Sequence, residues 1–169
     1  MSEWVTPVTD RTQQDVTYAR KNQGRIGIVV PYNKGALNFP DLNRIEGNYK
    51  YVIEQLQTDA IFIPHKDRNY TETWVNSDGE TIQQTYTDWA MENLPDISEM
   101  NRIRDNINAL ITLFLVNMGF TEFVKSNYLN YQEVNGWENM LLQSKIMFEN
   151  MVKEYIYCGT INCGGDRLI

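Results

Sequence analysis

The 169-residue chain carries 22 acidic and 15 basic residues, which gives a formal net charge of −7. This acidic balance argues against nucleic acid as a partner, because a protein that binds the phosphate backbone needs a basic surface. The longest nearly unbroken apolar run, residues 109–116, is too short to span a bilayer. The N-terminus lacks the basic and apolar regions of a signal peptide, so we expect synthesis in the cytoplasm. The length fits one domain over residues 1–169.

Four predicted helix starts share one capping pattern. A side chain that can accept a bond from an orphan backbone N–H is followed three residues later by a carboxylate, which lies favourably at the positive end of the helix dipole. The pairs are Thr12 and Asp15, Asn38 and Asp41, Asp96 and Glu99, and Asn130 and Glu133. They predict four capped helices over about residues 12–24, 38–57, 96–118 and 130–156.

The four helix starts also indicate imperfect internal repeats. An apolar residue follows each acid by one place and another by four places, and asparagine recurs two and seven places after it in three copies each. The acids are 26, 58 and 34 residues apart, and this uneven spacing fits a compact helical array better than a regular solenoid. Because asparagine is a poor helix former, we expect these amides to bond to an incoming loop backbone or to a neighbouring helix.

Between the first two helices, residues 25–30 alternate like a short strand, and Lys34-Gly35 is typical of a turn. The second helix has a clean apolar stripe at spacings of three and four. Its members are Leu42, Ile45, Tyr49, Val52, Ile53 and Leu56.

Residues 70–87 break the helical period and predict an inserted β-hairpin. Two runs rich in β-branched and aromatic residues flank Ser77-Asp78-Gly79, with the glycine where positive φ is easiest. Four aromatic residues, Tyr70, Trp74, Tyr86 and Trp89, crowd this insert. They could contact a partner protein or stack on glycans, and the competing interpretation is a small hydrophobic core under the hairpin.

The fourth helix carries a seam with 3-4 spacing, which could pair within the fold or across an oligomer axis. Its members are Val134, Trp137, Leu141, Ser144, Phe148, Met151 and Tyr155. The remainder, residues 157–169, changes to an alternating, glycine-containing pattern and predicts a short C-terminal strand that augments a neighbouring sheet.

Cys158 and Cys163 are the only cysteines of the chain. Two reduced thiols, a hairpin disulfide and half of a metal site are the three interpretations. The metal interpretation is the weakest, because it needs further ligands and the chain has one histidine, His65, in a loop context.

The chain contains no Gly-x-Ser-x-Gly elbow, Walker loop, Gly-x-Gly-x-x-Gly fingerprint or His-Glu-x-x-His motif. The repeated acids are already explained by helix capping. The sequence therefore predicts a protein that is not an enzyme and that has no cofactor or metal site.

Three stretches resemble phage tail-associated structural proteins of the tail fibre and baseplate type. They are WVTPVTDRTxxD at residues 4–15, KGALNFPDLNRIEGN at residues 34–48 and LNYQEVNGWE at residues 129–138. Such proteins occur in tailed phages, prophages and phage-tail-like bacteriocins of low-GC Gram-positive bacteria. The copies differ in places: Arg104 stands where two other copies have Glu46 and Glu138, and Met140 replaces the distal asparagine.

The resemblance implies a non-enzymatic virion protein made in the bacterial cytoplasm and placed in a tail or phage-tail-like particle. It would act in tail tip or baseplate assembly, or in tail fibre attachment, by contacts with other tail proteins and in several copies. Two alternatives stay open: a tail module that binds a receptor or cell-wall glycans, and a tail-assembly chaperone absent from the mature particle.

Overall fold

A computed structural model describes residues 2–22, 34–58, 61–90, 95–112 and 119–160. Within these ranges the elements are α1 (Gln13–Asn22), α2 (Phe39–Thr58), β1 (Tyr70–Val75), β2 (Thr81–Tyr86), α3 (Ile97–Leu110) and α4 (Tyr131–Thr160). The predicted mainly α fold with an inserted β-hairpin is confirmed.

The end of α4 differs from the prediction. The helix continues through Thr160, so residues 157–160 are helical and the predicted strand is wrong for these four positions. Local β-propensity is a weak preference that a helix already in progress overrides. The predicted strand at residues 25–30, the end of the third predicted helix at 113–118 and the tail at 161–169 lie outside the described residues.

One hydrophobic core unites α2, α3 and α4. The whole predicted apolar stripe of α2 is buried. It packs with Ile63, Trp89, Ile103, Ile107, Leu110, Ile111, Val134, Trp137, Met140 and Leu141. The predicted seam of α4 is buried from Val134 to Ser144 and then emerges, so that Met151 is 38% exposed. The described part of this seam therefore pairs within the fold over its first half.

The N-terminal segment, residues 2–11, lies between α2 and α4 and shows how these helices are oriented. Along α2, Ser2 contacts Glu54, Val5 contacts Asn48 and Arg11 contacts Asp41. Along α4, successively later residues of the segment likewise contact successively earlier helix positions: Trp4 with Lys145, Val8 with Glu138 and Arg11 with Asn135. The segment is antiparallel to both helices, so α2 and α4 are parallel to each other.

Residues 120–129, which we call the third segment, are likewise antiparallel to α3. Its contacts descend the helix in the order Glu122 with Thr112, Phe123 with Asn108, Lys125 with Asp105 and Ser126 with Arg104. This segment then leads into the start of α4, while the Phe123 ring meets Trp137 edge-on, 6.5 Å between centroids. The segment is thus a return connection that makes α3 parallel to α4.

Asparagine side chains fasten these irregular segments to the helices. In each case the side-chain oxygen accepts from the backbone N–H of one residue, and the side-chain nitrogen donates to the C=O of that same residue. We call this pair of bonds an amide bridge. The five bridges are Asn43 with Trp89, Asn48 with Val5, Asn106 with Lys66, Asn108 with Phe123 and Asn135 with Arg11. The predicted role of the repeated asparagines is confirmed at Asn43, Asn48, Asn106 and Asn135. It is wrong at Asn22 and Asn101, whose side chains bond Tyr18 and Arg104 of their own helices.

The turn at residues 34–36 needs a glycine because it packs directly on the start of α1. A Cβ atom added to Gly35 would lie 2.1 Å from the carbonyl carbon and oxygen of Asp15. The Lys34 ammonium bonds Asp10 across the same contact, with 2.9 Å from Nζ to Oδ2. The turn therefore aligns α1 with the start of α2.

The hairpin has the predicted turn. Gly79 has φ of +81°, and two bonds close the loop, from Gly79 N–H to Asn76 C=O (3.1 Å) and from Asn76 N–H to Glu80 C=O (2.9 Å). This is a three-residue loop in which the glycine takes the left-handed position. The register pairs Tyr70 with Tyr86 and Trp74 with Ile82.

Candidate functional site: a buried charge cluster and an exposed hairpin

Four charged side chains form a buried cluster where the N-terminal segment crosses between α2 and α4. Arg11 Nη2 lies 3.0 Å from Asp41 Oδ1 and 2.8 Å from Glu138 Oε1. Arg44 Nη2 lies 2.5 Å from the same Asp41 oxygen and 2.6 Å from the same Glu138 oxygen. The side chains of Asp41 and Glu138 are 0% exposed. We call these four residues the charge cluster.

The charge cluster also holds the backbone of the N-terminal segment. Val8 donates its N–H to Glu138 Oε2 at 2.6 Å, and Arg11 Nη1 donates to the Val8 carbonyl at 2.5 Å. Two positive and two negative groups balance, but burying ion pairs costs desolvation energy that their attraction only partly returns. The cluster therefore fixes how three parts of the chain align, and removing one member would leave a buried charge without its partner.

A second buried guanidinium, Arg104, joins α3 to the third segment and to α4. It is 0% exposed. It donates to the carbonyls of Ser126 (3.0 Å) and Tyr128 (2.8 Å), to Asn101 Oδ1 (2.8 Å) and to both carboxylate oxygens of Glu133. Arg104 thus binds the backbone of the third segment, as the charge cluster binds the backbone of the N-terminal segment.

The four predicted caps are all present, in two forms. At Thr12–Asp15 and Asn38–Asp41 the bonds are reciprocal: the first side chain accepts from the N–H of the acid, and the acid accepts from the N–H of the first residue.

At the other two helix starts, Asp96 and Asn130 accept the helix N–H of Glu99 and Glu133, each at 2.8 Å. The carboxylates of these glutamates accept from Arg102 and Arg104. At these two helix starts the acid therefore bonds an arginine side chain, whereas Asp41 bonds both the Asn38 N–H and two arginines.

Two caps have lowered pKa values with clear causes. The hydroxyl and N–H of Thr12 bond the Asp15 carboxylate and lower its pKa, and the N–H of Glu99 and the Ser98 hydroxyl lower the pKa of Asp96. Both carboxylates are therefore charged at neutral pH, as favourable interaction with the helix dipole requires.

The hairpin has one aromatic face, made of Tyr70, Glu72, Trp74, Ile82, Gln84 and Tyr86, which alternate in the two paired strands. Tyr70 and Trp74 are each 40% exposed. Glu72 and Gln84 are directly opposite each other between these rings. The neighbouring Glu72 carboxylate raises the pKa of Tyr70. The face offers exposed rings with hydrogen-bonding groups between them.

Trp89 does not belong to this face. It is 4% exposed, its indole N–H donates to Glu46 Oε1 at 3.0 Å, and the Arg68 guanidinium lies 4.1 Å above its ring. The ring packs in the main core, so Trp89 is not accessible for the partner or glycan contact predicted for it. For Tyr70, Trp74 and Tyr86 that contact stays a prediction.

Tyr49 lines a narrow cleft between α2, α3 and the middle segment, residues 61–68. Its hydroxyl is buried, which raises its pKa, and the nearby Asp67 carboxylate acts in the same direction. The phenol therefore stays protonated at neutral pH and is not a base.

Within the described ranges, no group of three His, Cys, Asp or Glu side chains is placed to hold a metal ion. The ring Nδ1 of His65 lies 3.1 Å from the Ile63 carbonyl oxygen. Cys158 lies in α4, and Cys163 lies outside the described residues. None of the helices in the described part of the chain is long and apolar enough to cross a membrane.

Comparison of the chain with protein-family models, with curated proteins and with solved structures gives no match.

Sequence reasoning missed the charge cluster and the role of Arg104. The available signal was a charge placed within an apolar stripe: Arg44 stands between Leu42 and Ile45, and Glu138 directly follows Trp137. A charged residue at a core-facing position needs a buried partner. The partners themselves, up to 127 residues apart, are not readable from local pattern.

Proposed function

We propose that this chain is a non-enzymatic structural protein of a phage tail or phage-tail-like particle. It acts in tail tip or baseplate assembly, or in tail fibre attachment, through contacts with other tail proteins and in several copies. It is made in the bacterial cytoplasm and resides in the particle.

The observation that carries this proposal is where the three tail-like stretches meet. Residues 4–15 supply Arg11, residues 34–48 supply Asp41 and Arg44, and residues 129–138 supply Glu138. The stretches that resemble tail proteins thus combine in one buried cluster, which also holds the backbone of the N-terminal segment. Buried ionic groups can specify how parts of a chain align. A cluster that joins all three tail-like stretches therefore fits a protein that acts as a rigid scaffold.

The proposal is tested by quantitative mass spectrometry of purified phage or phage-tail-like particles from the source strain. We expect the chain at a fixed stoichiometry that is a multiple of three or six, as closed symmetric assemblies require. Reproducible absence from particles that contain the other tail proteins would overturn the proposal and favour the assembly chaperone.

A second candidate function, a tail module that binds cell-wall glycans, is favoured by the aromatic face of the hairpin. Tyr70 and Trp74 are four residues apart on one strand, so their rings stand about 13 Å apart along it, a span that a short oligosaccharide can cover. Exposed rings can stack on sugars, while Glu72 and Gln84 can bond hydroxyl groups.

Tryptophan fluorescence tests this second candidate. Soluble cell-wall oligosaccharides should quench the emission of the wild type, and Trp74→Ala should abolish the quench. Thr73→Ala on the opposite face is the matched control and should retain it. A quench that survives in Trp74→Ala would contradict binding at this face.

A further inference from the structure

The hairpin has two open strand edges within the part of the chain that the structure describes. Among the described residues, β1 and β2 form a sheet of two strands, and all but one residue of β1 are exposed. A two-stranded hairpin is marginal in water by itself, and an open strand edge is a template for another strand. The outer edges of β1 and β2 are therefore both candidates for pairing with another strand.

The bond at the turn determines which backbone groups point outward. Asn76 and Glu80 are a hydrogen-bonded pair. Because opposite pairs alternate between bonded and non-bonded along an antiparallel ladder, Trp74–Ile82 is bonded and Thr73–Gln83 is not. The N–H and C=O of Thr73 thus point away from β2, and those of Gln83 point away from β1. On the outer edge of β2, the free groups belong to Thr81, Gln83 and Thr85.

Charge distinguishes the two edges. β2 has the sequence TIQQTY and contains no charged residue, no proline and no glycine, whereas β1 contains Glu72. Uncharged six-residue segments of high β-propensity are the ones that pair with themselves. When two copies of β1 pair around Glu72, two carboxylates stand opposite each other, which is destabilising.

We propose that β2 pairs with β2 of a second copy of this chain, antiparallel and across a two-fold axis, to form a four-stranded sheet. Two registers keep each face continuous and use the outward groups, one centred on Gln83 and one on Gln84. In the second register Ile82 stands opposite Tyr86 of the other copy, twice, and such aromatic–β-branched pairs stabilise a sheet. No like charges meet in either register. The interface is isologous, so one surface serves both copies.

The proposed function includes several copies of the chain, and β2 is the surface through which two copies would associate. The proposed pairing therefore rests on the proposed function. The two can fail separately. A dimer that forms through another surface would overturn the pairing alone, and absence from purified particles would overturn the tail assignment alone.

The test uses two prolines that occupy matched positions on opposite edges. Gln83→Pro removes an outward N–H of β2, and Thr73→Pro removes the outward N–H directly across the ladder on β1. Sedimentation velocity should give wild-type and Thr73→Pro species of twice the 19.8 kDa chain mass. Gln83→Pro should weaken the dimer by about tenfold or more, since each of two symmetric contacts loses a hydrogen bond.

Gln83→Lys is the second variant, because a charge on the edge opposes pairing without altering φ. It should also weaken the dimer by about tenfold or more, while its circular dichroism spectrum stays that of the wild type. A wild-type chain that stays monomeric would overturn the proposal. A monomer in which another segment of the same chain covers the outer edge of β2 would overturn it as well. Equal effects of the β1 and β2 prolines would also overturn the assignment to β2.

Discussion

In the helices and the irregular segments packed on them, which we call the helical body, irregular backbone is bound by side chains. In the hairpin, regular backbone is bound mainly by its own ladder, and side chains bond it at its two ends, Asn76 at the turn and Arg68 at the Tyr86 carbonyl. The body holds its connecting segments with five amide bridges, the charge cluster and Arg104. The hairpin has a paired register and an asparagine-stabilised turn, but its strands are largely exposed. The two regions therefore satisfy the N–H and C=O groups of their backbones in different ways.

The difference predicts two levels of stability in one chain. Detaching the N-terminal segment or the third segment from the helices breaks buried hydrogen bonds and uncovers the core. Either event should therefore require nearly global unfolding. Opening the hairpin exposes little additional apolar surface and should occur locally.

Glu138→Leu should destabilise the body most. It leaves Arg11 and Arg44 buried with Asp41 as their remaining partner in the cluster, and breaking such a network costs about 3–5 kcal/mol. Urea unfolding monitored by circular dichroism measures the free energy of unfolding. The control is Lys125→Met, which removes the exposed pair with Asp105 and should cost less than about 1 kcal/mol. A Glu138→Leu variant as stable as that control would refute the role of the cluster.

Gly35→Ala should cost about 1–3 kcal/mol, because its Cβ would overlap the Asp15 backbone and force the turn off α1. Gly47→Ala is the matched control in α2. Nothing lies within 4 Å of a Cβ at Gly47, so this change should stabilise the helix by about 0.5–1 kcal/mol. The two alanine variants should therefore differ in sign in the same urea experiment, and destabilisation by both would contradict the close packing assigned to Gly35.

Gly79→Ala should affect the hairpin alone. An alanine at φ of +81° costs about 1–2 kcal/mol. Because the hairpin opens independently, hydrogen exchange should accelerate in residues 70–86 while the urea midpoint stays unchanged. A fall in the midpoint of the whole chain would mean that hairpin and body unfold together.

Asp96→Asn tests the smallest effect, a helix cap with a titrating group. The pKa of Asp96 is lowered from 3.8, so its charged form contributes stability above that pH, and the contribution disappears as the pH falls through the folded-state pKa. Asparagine keeps the cap oxygen but does not titrate. The wild type should therefore lose its advantage over Asp96→Asn below pH 3.8, measured by thermal unfolding across the acidic range. A difference that does not vary with pH would contradict this cause.

Local features of the fold could be predicted from the sequence. A cap depends on residues three places apart, and the turn around Gly79 depends on a few adjacent residues, so both are readable from short pattern. The role of the repeated asparagines followed from their poor helix propensity.

Arrangements that join distant parts of the chain could not be predicted. The parallel direction of α2 and α4 depends on contacts of the N-terminal segment, such as Val8 with Glu138, 130 residues apart. Trp89 looked like part of the hairpin because it is close in sequence, but Asn43 and Glu46 of α2 bind it in the core. α4 extends beyond its predicted end because a helix already in progress overrides the β-propensity of the residues that continue it.

Native-state hydrogen exchange tests the contrast between body and hairpin most directly, at a concentration at which the chain is monomeric. The amides of Val5, Lys66 and Phe123, each bound in an amide bridge, should exchange only through global unfolding and should follow its urea dependence. The bonded ladder amides of Ile82 and Gln84 should exchange through a local opening of lower free energy. Exchange of the bridged amides at the rate of the ladder amides would contradict a rigid body held by side-chain bonds.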